Sequence, residues 1–215
     1  VIAIIDYEAG NLTSVKRALD HLGAPCRISN DLEFIASAER VIFPGVGAAG
    51  AAMASLQRLG LERALKEALN QGKPVLGICL GTQIIFESSQ EDLAICLGIL
   101  PGHTVRFPVD HRDAAGQPLK VPHMGWNRVA WTRPHPVFAG LPEEAEFYFV
   151  HSYHPAPARA EDVVGMTEYG LSFAAAVARE NLVAVQFHPE KSGRPGLTIL
   201  GNFLAWDGKE GADAL

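Results

Sequence analysis

Cys79 is the residue whose surroundings best fit covalent chemistry. It follows the apolar run 75–78 and precedes Leu80, with Gly77 two residues before it and Gly81 two residues after it. This G-x-C-x-G spacing is typical of a nucleophile elbow, a sharp strand-to-helix turn in which glycines avoid the clashes that a Cβ would cause. The partial positive charge of a helix N-terminus favours a thiolate there. The alternative is a small buried hydrophobic residue, the usual state of an unpaired cysteine.

A histidine and a carboxylate that could serve such a thiolate follow another apolar run. His188, Pro189 and Glu190 come directly after residues 182–187. Pro189 favours an extended backbone at His188, and residues i and i+2 of an extended segment point to the same side. Glu190 would then accept the Nδ1 proton of His188 and leave Nε2 free to exchange a proton with Cys79 or a leaving amine. The alternative is a solvated histidine and glutamate beside a turn.

A glycine-rich loop offers a competing function. Gly45, Gly47 and Gly50 form G-x-G-x-x-G between the apolar run 41–43 and an Ala-rich helical pattern, which is the spacing of a dinucleotide-binding fingerprint. Such a site also needs an acidic residue about twenty positions on, at the end of the next strand. Glu62 and Glu67 fall near that distance but lie in an amphipathic helical pattern, and the loop follows the third predicted strand instead of the first. A non-catalytic nucleotide-binding module is therefore the less favoured hypothesis.

The same loop can serve the cysteine through its backbone. In that interpretation the N–H of Val46 joins the N–H of Leu80 as an oxyanion hole. The glycines at 45 and 47 would let the Val46 peptide turn its N–H towards the site or away from it.

Two further segments carry residues that could contact a ligand or a partner. In the first, His151 and His154 lie close together, but they have no neighbouring cysteine and the sequence has no His-x-x-x-His pair. We therefore predict no metal site and favour a structural or substrate-contacting role.

In the second segment, Met124 and Trp126 share a predicted loop. Such side chains are more often buried, but at a surface they are preferred contact anchors.

Composition excludes several classes of protein. The chain has 215 residues and a net charge of −6, so no global basic field is present to hold nucleic acid or an acidic membrane. Three cysteines are an odd number without CxxC spacing, which fits a reducing cytoplasm; besides Cys79, we expect Cys26 and Cys96 to be packing residues. No apolar run reaches the ~18 residues of a membrane span, and the N-terminus reads as a buried strand without a signal peptide.

The order of the predicted elements indicates an α/β fold. Strands at 1–5, 26–28, 41–43 and 75–78 alternate with helical patterns, and we also predict a helix over 82–87. From about 93 to 187 short runs favour antiparallel strands and loops, followed by a buried strand at 182–187 and a closing helix at 196–206. We predict one domain, 1–215, with a mostly parallel central sheet, helices on both faces and an antiparallel extension.

These motifs together resemble the class I (triad) glutamine amidotransferases, a family with a flavodoxin-like fold. The resemblance covers nearly the whole chain, from Asp6 to Phe203. Within the family it is narrower, to the glutaminase subunits of imidazole glycerol phosphate synthases, through the segments 6–12, 122–127, 148–154 and 186–192. One departure is Thr82, where the family commonly has Met, and we expect no effect on the chemistry.

The resemblance implies a Cys-His-Glu triad of Cys79, His188 and Glu190 that hydrolyses L-glutamine through a cysteinyl thioester. The N–H groups of Val46 and Leu80 would stabilise the oxyanion. The residues expected to contact glutamine are Gly45, Gly47, Gln83, Ser152 and Tyr153. No cofactor or metal is implied. A self-sufficient cysteine hydrolase of the same fold is the second hypothesis.

The resemblance also implies a partner. In the family a (β/α)8-barrel cyclase subunit forms a heterodimer with the glutaminase and receives its ammonia, which feeds histidine biosynthesis. The candidates for that interface are Asn11, Met124, Trp126, Tyr148 and Lys191. We expect the Val46 N–H to be turned away from the site in the isolated chain and to turn inwards when the cyclase and its ligand bind.

Overall fold

The computed structural model describes residues 1–209 and is built around an eight-stranded sheet. The strands are β1 Ile2–Ile5, β2 Cys26–Ser29, β3 Arg40–Gly45, β4 Val75–Cys79, β5 Ser88–Ser89, β6 Gly102–Arg106, β7 His123–Arg128, β8 Ala130–Trp131, β9 Glu146–His151, β10 Tyr153–Pro157, β11 Val163–Glu168, β12 Ser172–Arg179 and β13 Leu182–Val185. The helices are α1 Leu12–His21, α2 Leu32–Ser37, α3 Ala49–Leu59, α4 Leu61–Asn70, α5 Leu80–Gln83 and α6 Gly193–Ala205.

The main sheet has the order β2-β1-β3-β4-β13-β12-β11-β8. Its first five strands are parallel, and β12, β11 and β8 continue it in antiparallel fashion. Two small sheets, β10-β6-β5 and β7-β9, complete the second half of the chain. The predicted parallel sheet with an antiparallel extension is confirmed.

Helices cover both faces of this sheet, as the alternation of buried side chains in β1 demonstrates. Ile4 packs in one core cluster with Leu19 of α1 and Phe203 of α6. The next residue, Ile5, packs in a second cluster on the opposite face with Leu56 of α3. Strands buried on both faces read as continuous apolar runs, and all four residues of β1 are buried. No helix within residues 1–209 is long and apolar enough to cross a membrane.

One predicted helix differs from the structure, and one helix was not predicted. The helix predicted over 82–87 is wrong, because α5 is a single turn that ends at Gln83. The carbonyls of Ile84 and Phe86 instead accept hydrogen bonds from the N–H groups of Leu97 and Gly98, so the segment is held as a loop. The sequence analysis also missed α2, whose N-terminus is capped by the side chain of Asp31.

The topology brings three segments that carry candidate site residues to one edge of the sheet. β3, β4 and β13 are neighbours, and their pairing places Gly45 opposite Cys79 and Val185 opposite Ile78. The glycine loop, the cysteine turn and the segment that contains His188 all leave the carboxyl ends of these strands. Ligands of open parallel sheets bind at this edge. The predicted domain 1–215 includes residues 210–215, which lie outside the described part.

Candidate active site

Cys79 lies at the predicted turn between β4 and α5. Its backbone adopts φ 54° and ψ −107°, which L residues rarely occupy. A Cβ at Gly77 would lie 2.8 Å from the Cβ of Ala184, and one at Gly81 would lie 1.9 Å from the carbonyl oxygen of Phe43. The close packing therefore demands both glycines. It holds the strained Cys79 backbone in place and keeps the thiol at the edge of the sheet.

His188 and Glu190 form a buried hydrogen-bonded pair. The Nδ1–H of His188 donates to Oε1 of Glu190 at 2.7 Å, and the two side chains are 1% and 0% exposed. His188 has the expected extended backbone, but Pro189–Lys191 form a 3-10 helix. The expected extended segment beyond His188 is therefore wrong. The tight turn that starts at Pro189 brings the carboxylate back to the imidazole.

The second ring nitrogen of His188 faces the thiol of Cys79. Nε2 is buried and makes no hydrogen bond to any residue in 1–209. Burial lowers the pKa of His188, but the Cys79 thiol and the Glu190 carboxylate together outweigh burial and raise the pKa. A raised pKa favours the imidazolium, which is the form that pairs with a thiolate. Gln186 also reaches the sulfur, with its Nε2–H donating to Sγ at 3.8 Å.

Asn11 contacts the same pair, which the sequence analysis did not predict. Its Nδ2–H donates to Oε1 of Glu190 at 2.6 Å. Asn11 precedes α1 and has φ 71°, so it sits at a left-handed turn. The two residues are 179 positions apart in the chain, and no local motif signals their contact.

A cavity of about 300 Å³ opens beside Cys79. Volume of this order suits a free amino acid. It brings together most of the residues predicted for the oxyanion hole and for glutamine contact, namely Val46, Gly47, Leu80, Gln83, Ser152 and Tyr153. Gly45 ends β3 opposite Cys79.

Glu91 lines the same cavity and was missed by the sequence analysis. Its Oε2 accepts the backbone N–H of Ala49 at 2.9 Å, and Oδ2 of the neighbouring Asp92 accepts that of Gly50 at 3.2 Å. Burial raises the pKa of Glu91, and the N–H of Ala49 partly opposes this rise. The two carboxylates thus cap the start of α3 from a distant loop.

These caps argue against the dinucleotide hypothesis. A pyrophosphate would need the free N–H groups at the N-terminus of the helix after the glycine loop. At α3 the first such groups, on Ala49 and Gly50, already bind carboxylates. An incoming phosphate would have to displace two negative charges.

Tyr7 is a further buried polar group beside the glycine loop. Its ring is 1% exposed and packs against Phe43. The hydroxyl makes no hydrogen bond to any described residue, and burial together with the nearby Cys79 strongly raises the Tyr7 pKa. A Cβ at Gly45 would lie 1.8 Å from this hydroxyl. Glycine at 45 therefore makes room for Tyr7.

Gln83 connects the cysteine turn to the strand that follows Ser152. Its Nε2–H groups donate to the carbonyl oxygen of Tyr153 at 2.8 Å and to Oε1 of Gln186 at 3.1 Å. Thr82, the departure from the family pattern, is fully buried and donates its hydroxyl proton to the carbonyl of Val185 at 2.6 Å. Both side chains fasten α5 to the strands beside it.

Four of the residues predicted to contact a partner form one surface, the aromatic patch of Met124, Trp126, Tyr148 and Lys191. The predicted loop at Met124 and Trp126 is wrong, because both residues lie in β7 and pair with β9, where they are 63% and 55% exposed. The ring of Trp126 meets the ring of Tyr148 edge-on at 6.0 Å, and Nζ of Lys191 lies 5.9 Å from the centre of the Tyr148 ring. The patch is next to the site, since Lys191 directly follows Glu190.

His151 and His154 are buried in an aromatic cluster around Phe107 and Phe173. Within residues 1–209 no group of three or more histidine, cysteine or acidic side chains is arranged to hold a metal. Cys26, Cys79 and Cys96 are free thiols.

Comparison with known proteins identifies the family. Residues 3–206 match the family model described as glutamine amidotransferase class-I. The chain is 53% identical over 206 residues to imidazole glycerol phosphate synthase subunit HisH of Nitratidesulfovibrio vulgaris (strain DSM 19637 / Miyazaki F), covering 96% of this chain and 97% of the relative. It is 50% identical to the subunit of the same name in Methylococcus capsulatus (strain Bath), covering 96% of each.

Solved structures show the same fold at low sequence identity. A putative GMP synthase protein of Thermoplasma acidophilum superposes with a TM-score of 0.71 at 20% identity, covering 95% of this chain and 92% of that one. PurLQS of Thermotoga maritima gives 0.73 at 17% identity, covering 95% and 97%. The chain therefore belongs to the class-I glutamine amidotransferase family, among the HisH subunits of imidazole glycerol phosphate synthase.

Proposed function

We propose that this chain is the glutaminase of imidazole glycerol phosphate synthase, which hydrolyses L-glutamine and supplies ammonia for histidine biosynthesis. The observation that carries the proposal is the spatial arrangement of three side chains. The Cys79 thiol sits on a strained turn, the Nε2 of His188 faces it, and Glu190 holds Nδ1 from behind. This arrangement can generate a thiolate and shuttle a proton.

In the first half-reaction the Cys79 thiolate attacks the side-chain carboxamide carbon of glutamine. The N–H groups of Val46 and Leu80 stabilise the oxyanion that forms on the amide oxygen. His188 gives its proton to the departing nitrogen, so that ammonia leaves and a thioester remains. Glu190 keeps the imidazole oriented and stabilises its charged form.

In the second half-reaction water attacks the thioester carbon. The neutral His188 formed in the first step accepts the water proton, and collapse of the tetrahedral intermediate breaks the carbon–sulfur bond. Glutamate leaves, and the thiolate–imidazolium pair is restored. The same two N–H groups serve both half-reactions, because each passes through an oxyanion on the same oxygen.

The cavity beside Cys79 supports binding of a free amino acid. Glu91 supplies a carboxylate for the α-ammonium group of glutamine, while Gln83, Ser152 and Tyr153 contact the rest of the substrate. The peptides at Gly45 and Gly47 approach the carboxamide closely because they carry no side chain. All of these residues except Gly45 line the cavity.

We propose that the chain forms one domain, 1–215. We also propose that its partner in a heterodimer is a (β/α)8-barrel cyclase. Ammonia released into water would largely be protonated and lost, so the glutaminase site must open towards the enzyme that consumes ammonia. The aromatic patch supports a docking role because it combines an exposed Met, a Trp and a cation beside the site. Asn11 joins that interface through α1. Free thiols support a cytoplasmic location.

A covalent label tests the proposal. Treatment with a glutamine-analogue chloroketone, followed by peptide mass spectrometry, should place one adduct on Cys79. Cys96→Ala is the matched control, since this second buried thiol lies outside the cavity and its removal should leave labelling unchanged. A label-resistant Cys79 in the cyclase complex would contradict the proposal. Co-purification with a barrel protein separates it from a self-sufficient hydrolase.

A further inference from the structure

A row of polar side chains runs through the buried aromatic cluster to the glutamine site. At its end, the carbonyl oxygen of Tyr153 accepts a hydrogen bond from Nδ1 of His151 at 2.7 Å, in addition to the bond from Gln83 at 2.8 Å. A carbonyl oxygen can only accept, so the proton of His151 lies on Nδ1. Its Nε2 is then available as an acceptor.

The next member of the row is His123 on β7. Its Nδ1 lies 3.0 Å from Nε2 of His151. Its own Nε2 lies 3.4 Å from Nδ2 of Asn127, which also donates to the carbonyl oxygen of Glu168 at 2.9 Å. Oδ1 of Asn127 accepts the N–H of Arg128 at 2.8 Å.

These contacts fix the direction of every bond. Turning the Asn127 amide over would set Oδ1 against the Glu168 carbonyl and an amide N–H against the Arg128 N–H, so the orientation is determined. Nδ2 of Asn127 therefore donates to His123, which leaves Nδ1 of His123 as the donor to His151. Both rings donate one bond and accept one, which requires both to be neutral.

The burial of the two rings agrees with that requirement. Burial lowers the pKa of His123 to about 4 and that of His151 to about 3. The His123 ring is stacked between Tyr169, at 4.0 Å, and Phe149, at 4.8 Å, so its plane cannot rotate. Packing alone would be satisfied by phenylalanine. The polar nitrogens instead carry a directed chain of hydrogen bonds to one backbone atom.

We propose that His123 and His151 are positioning residues that hold the Tyr153 carbonyl, and with it the Ser152–Tyr153 segment, in the conformation that binds glutamine. The inference rests on the proposed function, because it takes that segment as part of the glutamine site. It adds a pair of neutral histidines that touch no substrate and act through the backbone. The row begins on β7, the strand that presents Met124 and Trp126.

The first test is kinetic and uses the complex with the cyclase. His123→Phe keeps the stacking but removes the donor to His151. We expect the glutamine KM to rise about tenfold, the scale of one lost buried hydrogen bond, with kcat changed less than twofold. His123→Asn returns a donor near the position of Nδ1 and should recover most of the affinity. Ammonia-dependent cyclisation should be unchanged in both variants.

His111→Phe is the matched control, because His111 packs in the same cluster but bonds to the carbonyl of Tyr169 and not to Tyr153. Equal KM values for wild type and His123→Phe, or equal increases for His111→Phe and His123→Phe, would overturn the inference. The proposed function would fail on a separate result: it would be wrong if the Cys79→Ala protein kept its glutaminase activity.

The second test needs no variant. Long-range ¹H–¹⁵N NMR of the histidine rings in the full chain reports which nitrogen carries the proton. We expect both His123 and His151 to be neutral and protonated on Nδ1 at pH 7. A proton on Nε2 of either ring would overturn the inference even if His123→Phe fails to fold.

Discussion

Asn11 donates a 2.6 Å hydrogen bond to Glu190 through the same carboxylate oxygen that accepts the imidazole N–H of His188. Asn11 thus contacts the proposed catalytic pair and is also a candidate for the proposed interface. A single amide at the start of α1 contacts a carboxylate whose side chain is fully buried.

We expect Asn11→Leu to lower kcat about tenfold with a smaller effect on the glutamine KM, because Glu190 would lose one of its two hydrogen bonds and orient His188 less firmly. Steady-state glutaminase kinetics of the cyclase complex would measure this. Lys16→Ala, a change at a partly exposed residue of the same helix, should leave kcat unchanged. If Asn11→Leu changed complex formation alone, with normal kcat at saturation, its contact with Glu190 would have no catalytic role.

Gly81, the glycine that follows the Cys79 turn, should tolerate no side chain. Gly81→Ala places a Cβ 1.9 Å from the Phe43 carbonyl, and we expect a loss of about 3 kcal/mol or more in the free energy of unfolding. Gly201→Ala is the matched control, because a Cβ there meets nothing within 4 Å and should stabilise α6 by about 0.5–1 kcal/mol. Denaturant unfolding of both variants tests the contrast, and equal stabilities would contradict the packing argument.

Glu91 and Asp92 should separate into two roles although both cap α3. Glu91→Gln keeps the side-chain shape but removes the charge that we assign to the α-ammonium group, so the glutamine KM should rise at least about tenfold. Asp92→Ala should cost about 1 kcal/mol of stability through the lost cap and leave the KM unchanged. Kinetics and unfolding measured on the same samples distinguish them. Similar KM values for the two variants would remove Glu91 from the substrate site.

The buried histidines predict a specific pH dependence of stability. The folded pKa values of His123 and His151, about 4 and about 3, lie below their unfolded value of about 6.5. Below pH 6.5 the unfolded chain therefore binds protons that the native protein excludes, and the free energy of unfolding falls as the pH drops. Each ring contributes a loss of about 2 kcal/mol between pH 6.5 and 5.

His123→Phe removes one of these two rings, so its loss of stability over that range should be smaller by about 2 kcal/mol. Denaturant unfolding of wild type and His123→Phe at pH 6.5 and at pH 5 measures this loss of unfolding free energy for each protein. The His111→Phe protein serves as the control, since His111 packs in the same cluster but bonds to the carbonyl of Tyr169 and lies outside the row from Asn127 to Tyr153. A loss of unfolding free energy for His123→Phe as large as that of wild type would contradict the assignment of a neutral buried ring.

The sequence was most informative where function depends on neighbours in the chain. Cys79 with its two glycines, and His188 with Glu190, are local patterns, and apolar runs were sufficient to predict the parallel strands. Helix α5 was predicted to be too long because the hydrophobicity of Ile84 and Phe86 reflects burial in a loop, which periodicity cannot distinguish from a buried helix.

Contacts between distant segments could not be predicted in this way. Asn11 meets Glu190, and Glu91 meets Ala49 42 residues away in the chain, only because the parallel sheet gathers those loops at one edge. The row from Asn127 to Tyr153 likewise depends on the pairing of β7 with β9. In the sequence its residues looked like an ordinary pair of histidines and a loop.

The close approach of the Tyr7 hydroxyl to the space beside Gly45 couples these two positions during evolution. A side chain at 45 would collide with that hydroxyl, while a smaller residue at 7 would open a void behind the glycine loop. Neither position can drift alone, so viable sequences should change both together or neither. A library that randomises position 45 by itself and is screened for folding alone should return glycine, and one that also varies position 7 should yield the first alternatives.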